Sequence, residues 1–194
     1  MDTAQQFNEL VKKRRSVFPA QFAVGKTIDD DIIKQILFNA TWAPTHKQTE
    51  PWQFTVFSKN GLSKLAHFQA ELYKKIAGTH FNETKYTKLQ QQPLLASHVI
   101  ALGMKRTTAV QIPEIEEIEA VACAVQNIYL SVTAYGLGGY WTTGGITYAE
   151  EAKSFFGLRE ADRLLGFFYI GEIAIPSTEA KRKPLTEKVN WVRE

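Results

Sequence analysis

The sequence predicts an α+β fold in a single domain. Amphipathic helical segments outnumber strand-like segments, and the two kinds do not alternate regularly, as they would in a doubly wound sheet. The chain has 194 residues, of which 44% are apolar, 12% aromatic and 22% charged, values typical of a globular protein. No repeat, low-complexity tract or linker divides residues 1–194.

The first half of the chain is predicted to form three helices and a strand. Aspartate residues can cap the first two helices, and spaced apolar residues give each helix one core-facing side. The predicted elements are a helix capped by Asp2 that ends at Arg14-Arg15, a helix opened by Asp29 and Asp30, a strand over 52–57 and a helix over 60–77.

The second half of the chain is richer in apolar segments. A strand is predicted over His98–Met104, and the longest helix begins at Pro113-Glu114, where acidic residues complement the positive helix end. Apolar residues nearly encircle the second half of this helix, which places it in the core or at an interface. Its Cys123 is predicted to be a small buried hydrophobe. A Gly-rich turn and strand (135–145), a short helix (148–156) and an apolar strand (164–173) follow.

The polar stretch 78–92 supports two interpretations. Segments of this length between a helix and a buried strand often act as lids, and Phe81 and Tyr86 would then stack on a flat electron acceptor. Alternatively, the stretch is a solvated helix that continues from Ala77 and docks Tyr86, Leu89 and Pro93 onto the core.

Charge and composition exclude several classes of protein. The net charge of +3 is mild, and the basic residues form two compact clusters, 12–15 and 181–183, which suit a small anion better than nucleic acid. One cysteine excludes an internal disulfide, and the four histidines lack metal-site spacing. With no signal-peptide core and no apolar run of about 18 residues, we expect a cytoplasmic protein that does not span a membrane.

Two segments about thirty residues apart predict a ligand site. Arg14-Arg15-Ser16 ends a basic helix, where guanidinium and hydroxyl groups can bind a phosphate. The loop Ala43–Trp52 places Thr45, His46 and Gln48 beside an aromatic residue. Each segment alone could be a solvated charge run or an ordinary loop. Together they indicate a pocket for a flat, phosphorylated compound with polar edges.

The Gly-rich segment Gly136–Gly145 contributes a third set of polar groups. It lacks the G-x-G-x-x-G spacing of dinucleotide-binding folds and follows a helix rather than a strand, so that interpretation fails. The stretch from Trp141 through Thr142 and Thr143 to Gly145 instead combines two hydroxyls with backbone amides that can approach a ring edge closely.

These three segments, with Lys181–Leu185 and the strand Gly166–Gly171, resemble the nitroreductase-like FMN-dependent oxidoreductases in order and spacing. The resemblance covers nearly the whole chain and is strongest to minimal nitroreductases. The pieces Thr49–Trp52 and Lys181–Leu185 are also similar to iodotyrosine deiodinases. The resemblance implies a central, mostly antiparallel sheet flanked by helices, and a homodimer in which residues 175–194 extend onto the partner and exchange a C-terminal strand.

The resemblance also implies one noncovalent FMN at each of two sites in the dimer interface. Reaction would occur at flavin N5, with no catalytic side chain. Arg14 and Ser16 would hold phosphate and ribityl oxygens, Arg15 would lie near the pyrimidine side or phosphate, and Arg182 would close on the phosphate. Three residues of the partner subunit would face the isoalloxazine or the ribityl chain: Thr45, His46 and Gln48. The far side of the ring and its N5 edge would be lined by Trp141, Thr142 and Thr143.

The expected activity is hydride transfer from NADPH or NADH to a small electrophile such as a nitroaromatic, a quinone or an activated alkene, in a ping-pong sequence. Two alternatives remain open: a reductive dehalogenase-like flavoenzyme, and a flavin-binding or storage protein without useful turnover. Two departures bear on the site, since Phe18 stands where many relatives have a basic residue and Glu50 replaces a frequent glutamine.

Overall fold

The computed structural model describes residues 2–194. Within that range, the chain forms five α-helices and four β-strands, joined by short 3-10 turns. In chain order they are α1 (Thr3–Lys13), α2 (Asp30–Ala40), β1 (Trp52–Ser58), α3 (Asn60–Ala77), α4 (Glu83–Gln91), β2 (His98–Met104), α5 (Glu114–Ala134), β3 (Gly138–Thr142) and β4 (Arg163–Gly171).

The four strands form one sheet in the order β1-β2-β4-β3, and every neighbouring pair is antiparallel. Strand β1 pairs with β2 from Trp52 opposite Met104 to Ser58 opposite His98. The predicted α+β class and the antiparallel sheet flanked by helices are therefore confirmed.

The sheet is covered on both faces, so its inner strands are apolar on both sides. Ile100 and Leu102 of β2 and Phe168 of β4 belong to the cluster that packs against α2 and α5. The alternate residues, including Val99 and Tyr169, belong to a second cluster packed against α3 and the turn Glu150–Phe156. Every residue of β2 is buried, which accounts for the unbroken apolar run that follows His98.

A glycine in β4 marks a local irregularity next to the predicted ligand site. Gly166 has φ +116°, and a Cβ placed there would lie 2.3 Å from the carbonyl oxygen of Thr142. The close approach lets the indole Nε1 of Trp141 donate to the carbonyl oxygen of Leu165 at 3.0 Å. Only glycine fits at this position, because a side chain would push β3 away from β4.

Several predicted boundaries agree with the structure. Asp2 caps α1 by accepting from the Gln5 amide at 2.8 Å, and α3 and β2 span the predicted residues. The predicted short helix is a 3-10 helix over Glu150–Phe156, and Gly157 ends it at φ +68°. His98 is buried and hydrogen-bonded to Ser97 and Asp30, as expected for a core histidine.

The stretch 78–92 contains helix α4, which packs along α3. Tyr86 donates to a carboxylate oxygen of Glu71 at 2.7 Å, and Phe81 lies between the rings of Tyr73 and Tyr86. Leu89 packs against the core and Pro93 is buried. The docking contacts are therefore present, but α4 does not continue α3, because residues 78–82 interrupt the two helices. A lid role for this stretch stays a prediction.

One prediction for α5 is wrong. Cys123 is exposed rather than buried. Helix α5 packs against α2 and the sheet on one side only, which leaves a stripe uncovered on its other side. That stripe consists of Ile115, Glu119, Ala122, Cys123 and Gln126.

The last twenty residues form no strand within the described chain. One 3-10 turn spans Leu185–Glu187, and Trp191 and Val192 are 75% and 89% exposed. The exchange of a C-terminal strand between two copies therefore stays a prediction.

Candidate functional site

The segment that leaves α1 runs along the outer edge of β3. The amide of Val17 donates to the carbonyl oxygen of Gly139 at 2.9 Å, which fixes the preceding residues beside α5. Arg14 ends the helix and is half-buried, whereas the side chain of Ser16 is open to solvent. The predicted phosphate-binding residues thus lie where an edge strand, a helix end and α5 meet.

Tyr129 of α5 joins three of the predicted site residues. The guanidinium carbon of Arg14 lies 4.9 Å from the centre of the Tyr129 ring. The phenol oxygen lies 3.3 Å from Ser16 Oγ and accepts from the amide of Trp141 at 2.9 Å. Nothing in the local pattern distinguishes Tyr129 from the other residues of the apolar stripe of α5, so sequence alone does not predict this role.

The remaining predicted cations point elsewhere in the single chain. Arg15 donates to the backbone oxygens of Lys12 and Arg14 and lines a separate cavity of about 140 Å³ beneath the C-terminal segment. Ser177 holds that segment in place by donating to the Ser16 carbonyl oxygen at 3.0 Å. Arg182, five residues further along, is exposed and donates only to the carbonyl oxygen of Lys181 among the described residues.

The loop that carries Thr45, His46 and Gln48 is strained. Lys47, Gln48 and Glu50 have φ values of 51°, 52° and 43°, in the left-handed region that residues other than glycine rarely adopt. Such strain costs about 1–3 kcal/mol per residue and is typical of functional loops that their surroundings hold in place.

Contacts within the loop and to α5 hold this conformation. Thr45 Oγ1 lies 3.1 Å from Thr49 Oγ1 and accepts from the Glu50 amide at 3.3 Å. His46 Nδ1 is paired with the carboxylate of Glu116, in the first turn of α5. The side chain of Gln48 stays exposed.

A network of buried charges fixes the segment that supports the loop. The buried carboxylate of Glu117 binds Arg106, which also donates to the Ile112 carbonyl oxygen. Lys47 donates to the carbonyl oxygen of Gln111, in the same segment, at 3.4 Å. The network therefore connects the start of α5 to the strained loop.

Asp162 anchors the other end of this network. Burial by itself would raise the pKa of Asp162, but hydrogen bonds from the Arg159 side chain and from the amides of Arg159 and Arg106 outweigh it. The result is a pKa of about 2.

The two halves of the predicted site lie far apart in one chain. His46 contacts Glu116 and Arg14 contacts Tyr129, and these two α5 residues are thirteen positions apart. At 1.5 Å per residue, α5 separates the two groups by about 20 Å. The structure therefore does not bring Thr45, His46 and Gln48 to Arg14 and Ser16 within one chain.

Two neighbouring cavities lie beneath α4. The larger, of about 660 Å³, has Phe18 and Tyr140 on one side, with ring centres 4.7 Å apart, and polar residues of α4 on the other. The smaller, of about 280 Å³, lies between α4 and the segment after β3, and Lys88 and Gln92 line both cavities. The smaller cavity is lined by Gln69, Lys85, Lys88, Leu89, Gln92, Thr142, Gly144, Gly145, Phe167 and Tyr169.

The smaller cavity is rich in hydrogen-bond donors. Gln69 is 2% exposed, and its side chain lies beside the Tyr169 phenol. Its Nε2 makes no hydrogen bond of normal length within residues 2–194. Burial raises the pKa of the Tyr169 phenol, so this group also keeps its proton. With Lys85 and Lys88 beside them, these groups suit a ligand edge that presents oxygen or nitrogen acceptors.

Of the predicted ring-contacting residues, the structure places Thr142 on this cavity and Thr143 in solvent. Trp141 approaches the site through its backbone, since its indole turns toward Leu165. Phe81 and Tyr86 line neither cavity, and their contact with an acceptor stays a prediction. Lys85 and Lys88 were not predicted, although their spacing of three places them on one side of a helix.

Other kinds of site find no support in the described chain. Across residues 2–194, no three His, Cys, Asp or Glu side chains are grouped so that they could hold a metal ion. No helix over the same residues combines the length and apolar character needed to span a bilayer.

Comparison with known proteins assigns the family. The model of the nitroreductase family matches residues 11–172. This chain belongs to the nitroreductase family. The match covers the Arg14 segment, the strained loop, both cavities and all four strands, so the resemblance seen in the sequence is confirmed.

Individual relatives agree with the family assignment. The Escherichia coli K12 protein YdjA, a proposed NAD(P)H nitroreductase, is 29% identical over 139 residues, which cover 72% of this chain and 74% of YdjA. The crystal structure of a nitroreductase-like family protein from Bacillus cereus is 28% identical with a TM-score of 0.81, covering 99% and 98% of the two chains. The FMN-dependent nitroreductase NfnB from Mycobacterium smegmatis, solved with NADPH, has a TM-score of 0.73 at 18% identity, covering 99% and 100%.

The Asp162 anchor predicts how stability depends on pH. Because the folded pKa lies below the unfolded value, ionised Asp162 stabilises the fold above pH 4, and this contribution disappears as pH falls through 2. The shift corresponds to about 2 kcal/mol. In urea titrations at pH 7, the free energy of unfolding of Asp162→Asn should therefore be lower than that of the wild type by at least this amount. Below pH 4, it should decrease less steeply with falling pH than that of the wild type. Asp31→Asn, at an exposed ion pair, is the matched control. Parallel pH profiles for wild type and Asp162→Asn would contradict the assignment.

Proposed function

We propose that this chain is an FMN-dependent NAD(P)H oxidoreductase that reduces small electrophiles such as nitroaromatics and quinones. The observation that carries the proposal is the convergence of Arg14, Ser16 and the backbone of Trp141 at Tyr129. A donor-lined cavity lies on the other face of the sheet and begins at Thr142, the residue after Trp141. This arrangement offers an anion site and a site for an acceptor-edged ring. The family and the FMN dependence of the structurally similar NfnB support the same cofactor.

The residues present fit FMN in two regions. Arg14 and Ser16 would bind the phosphate and ribityl oxygens, with Arg182 brought in by the C-terminal segment that Ser177 ties to Ser16. The donors of the smaller cavity, including the unpartnered Gln69 amide, would receive the carbonyl and ring-nitrogen edge of the flavin. When bound, FMN supplies the hydride chemistry, which is why the site needs no nucleophile or acid–base pair.

The two α4 lysines account for the absence of a cation at position 18. Phe18 lies against Tyr140 and provides an apolar wall. Lys88 lines both cavities from α4, whereas Lys85 lines the smaller one with its ammonium over the ring of Tyr73, 4.5 Å from the ring centre. Positive charge beside the pyrimidine edge would stabilise the negative charge that a reduced flavin carries there. We infer that α4 supplies the charge that many relatives place after the serine.

A second copy of the chain would complete the site. Because α5 holds His46 about 20 Å from Arg14, the loop residues Thr45, His46 and Gln48 would reach the flavin only from a partner. Large apolar side chains are exposed on the surfaces that such a partner would cover. They include Phe7 and Val11 of α1, Trp42 after α2, Ile115 of α5, and Trp191 and Val192 of the tail.

In this dimer, residues 175–194 would extend onto the partner. NAD(P)H and the acceptor would occupy the same flavin face in turn, which gives ping-pong kinetics. The dehalogenase-like and storage alternatives differ in what happens after the flavin is loaded, so one experiment on the loaded protein separates all three.

The proposal predicts a yellow protein that completes both half-reactions. Apoprotein mixed with FMN under anaerobic conditions should bleach on addition of NADPH or NADH and regain its flavin absorbance when a nitroaromatic or quinone is added. Stopped-flow absorbance measures both steps. A protein that binds FMN but is not bleached would be a storage protein, and one reoxidised only by a halotyrosine would be a dehalogenase. Failure to bind FMN would contradict the proposal as a whole.

The lysine assignment predicts a change in both affinity and redox potential. Lys88→Ala should weaken FMN binding and lower the flavin midpoint potential, because the reduced flavin loses a stabilising cation. Charge-assisted contacts of about 1.5–3 kcal/mol correspond to roughly 10- to 150-fold in affinity. Equilibrium dialysis and redox titration measure the two effects. Lys75→Ala, on the exposed side of α3, is the matched control. An unchanged potential in Lys88→Ala would show that this lysine does not lie beside the pyrimidine edge and would contradict the assignment.

A further inference from the structure

The hydroxyl of Tyr129 connects the anion-binding segment to the ring-binding segment. It lies 2.9 Å from the Trp141 amide and 3.3 Å from Ser16 Oγ. Tyr129 is only 8% exposed, and its ring is fixed by an edge contact with Phe168, with centres 4.6 Å apart. The position of this hydroxyl is therefore set by the core rather than by solvent.

The donors and acceptors of this chain of contacts have a defined direction. A backbone amide can only donate, so the phenol oxygen of Tyr129 accepts from Trp141. The phenol has one hydrogen, and Ser16 Oγ is the side-chain oxygen next to it. When Tyr129 donates to Ser16, the Ser16 hydroxyl hydrogen turns away from Tyr129, toward the open side of the site.

We propose that Tyr129 is a positioning residue that fixes the Ser16 hydroxyl as a hydrogen-bond donor to an oxygen of the bound ligand. The inference rests on the proposed function, in which that oxygen belongs to the phosphate or ribityl of FMN. Hydrogen bonds in a chain polarise one another, so the Trp141 amide also strengthens Ser16 as a donor. The ring of Tyr129 adds a second effect, because Arg14 lies over its face and, in the proposed function, would bind the same ligand.

A structural role would also explain Tyr129. Strand β3 is at the edge of the sheet, and the phenol oxygen satisfies an amide that β4 does not reach. The two explanations differ in one respect. A positioning role acts through the Ser16 hydroxyl and disappears when that hydroxyl is removed, whereas a structural role does not depend on it.

A double-mutant cycle separates the two roles. Tyr129→Phe keeps the ring under Arg14 and removes the hydroxyl, and Ser16→Ala removes the donor at an exposed position. Titration of apoprotein into FMN, followed by flavin fluorescence, gives the dissociation constants. Each single variant should bind FMN about tenfold more weakly, and the double variant no more weakly than the worse single variant. If the double variant instead shows the product of the two single losses in FMN affinity, the inference is overturned.

Controls keep a folding defect apart from a positioning effect. Tyr135→Phe, a matched change at the exposed end of α5, should leave FMN affinity unchanged. Thermal unfolding of each apoprotein reports the cost of the unsatisfied Trp141 amide, which should be the same with serine or alanine at position 16. If wild-type apoprotein binds no FMN, the proposed function fails and this inference with it. Multiplicative losses in a protein that binds FMN overturn this inference alone.

Riboflavin identifies the ligand oxygen. It lacks the phosphate but keeps the ribityl hydroxyls, so the same cycle repeated with riboflavin has two supporting outcomes. If the coupling between Tyr129→Phe and Ser16→Ala is lost with riboflavin, the ligand oxygen belongs to the phosphate. If the coupling remains, the oxygen belongs to the ribityl chain.

Discussion

Helix α5 sets the distance between the two groups of residues that the proposed function needs. Its first turn holds His46 through Glu116, and Tyr129, thirteen residues later, holds Arg14 and Ser16. The helix is packed against the sheet and α2 along its length, so this distance cannot change without disrupting the core. In the proposed dimer, a ligand bound at Arg14 would therefore receive the loop residues from a second copy. The uncovered stripe of α5 and its exposed Cys123 fit the same requirement.

Positive charge near the proposed site comes from two places, the Arg14-Arg15-Ser16 segment and helix α4, and the fold determines where α4 lies. The segment after Ser16 lies along the edge of β3 and points Phe18 at Tyr140, with which it makes an aromatic contact. Helix α4 lies across the same end of the sheet and carries Lys85 and Lys88 to the smaller cavity. Binding, orientation and charge are then the contributions of the protein, and the reactive atoms are those of the cofactor.

Periodic and strongly punctuated segments were predictable from the sequence. The boundaries of α3 and β2 agree with the structure because their apolar patterns end at a glycine or a run of polar residues. Long-range partners were not predictable in this way. The apolar stripe of α5 shows that Tyr129 faces the core, but it does not show that the Tyr129 hydroxyl accepts from the Trp141 amide. The wrong prediction for Cys123 has the same origin, since periodicity cannot show which side of a helix is left uncovered. Likewise, the polar stretch 83–91 does not reveal that two of its lysines border a cavity.

Subunit complementation tests most directly whether each site is shared between two copies. One variant, Arg14→Ala, disrupts the anion side, and a second, His46→Ala with Gln48→Ala, disrupts the loop. If sites are shared, unfolding and refolding an equal mixture should restore tight FMN binding in about one quarter of all sites, because each mixed dimer contains one intact site. A chain with all three substitutions, mixed with wild type, should give mixed dimers without tight sites. The account is contradicted if the mixture of the two variants shows no tight FMN binding while the mixed dimers of wild type and the triple variant do. That result would place each site within one chain.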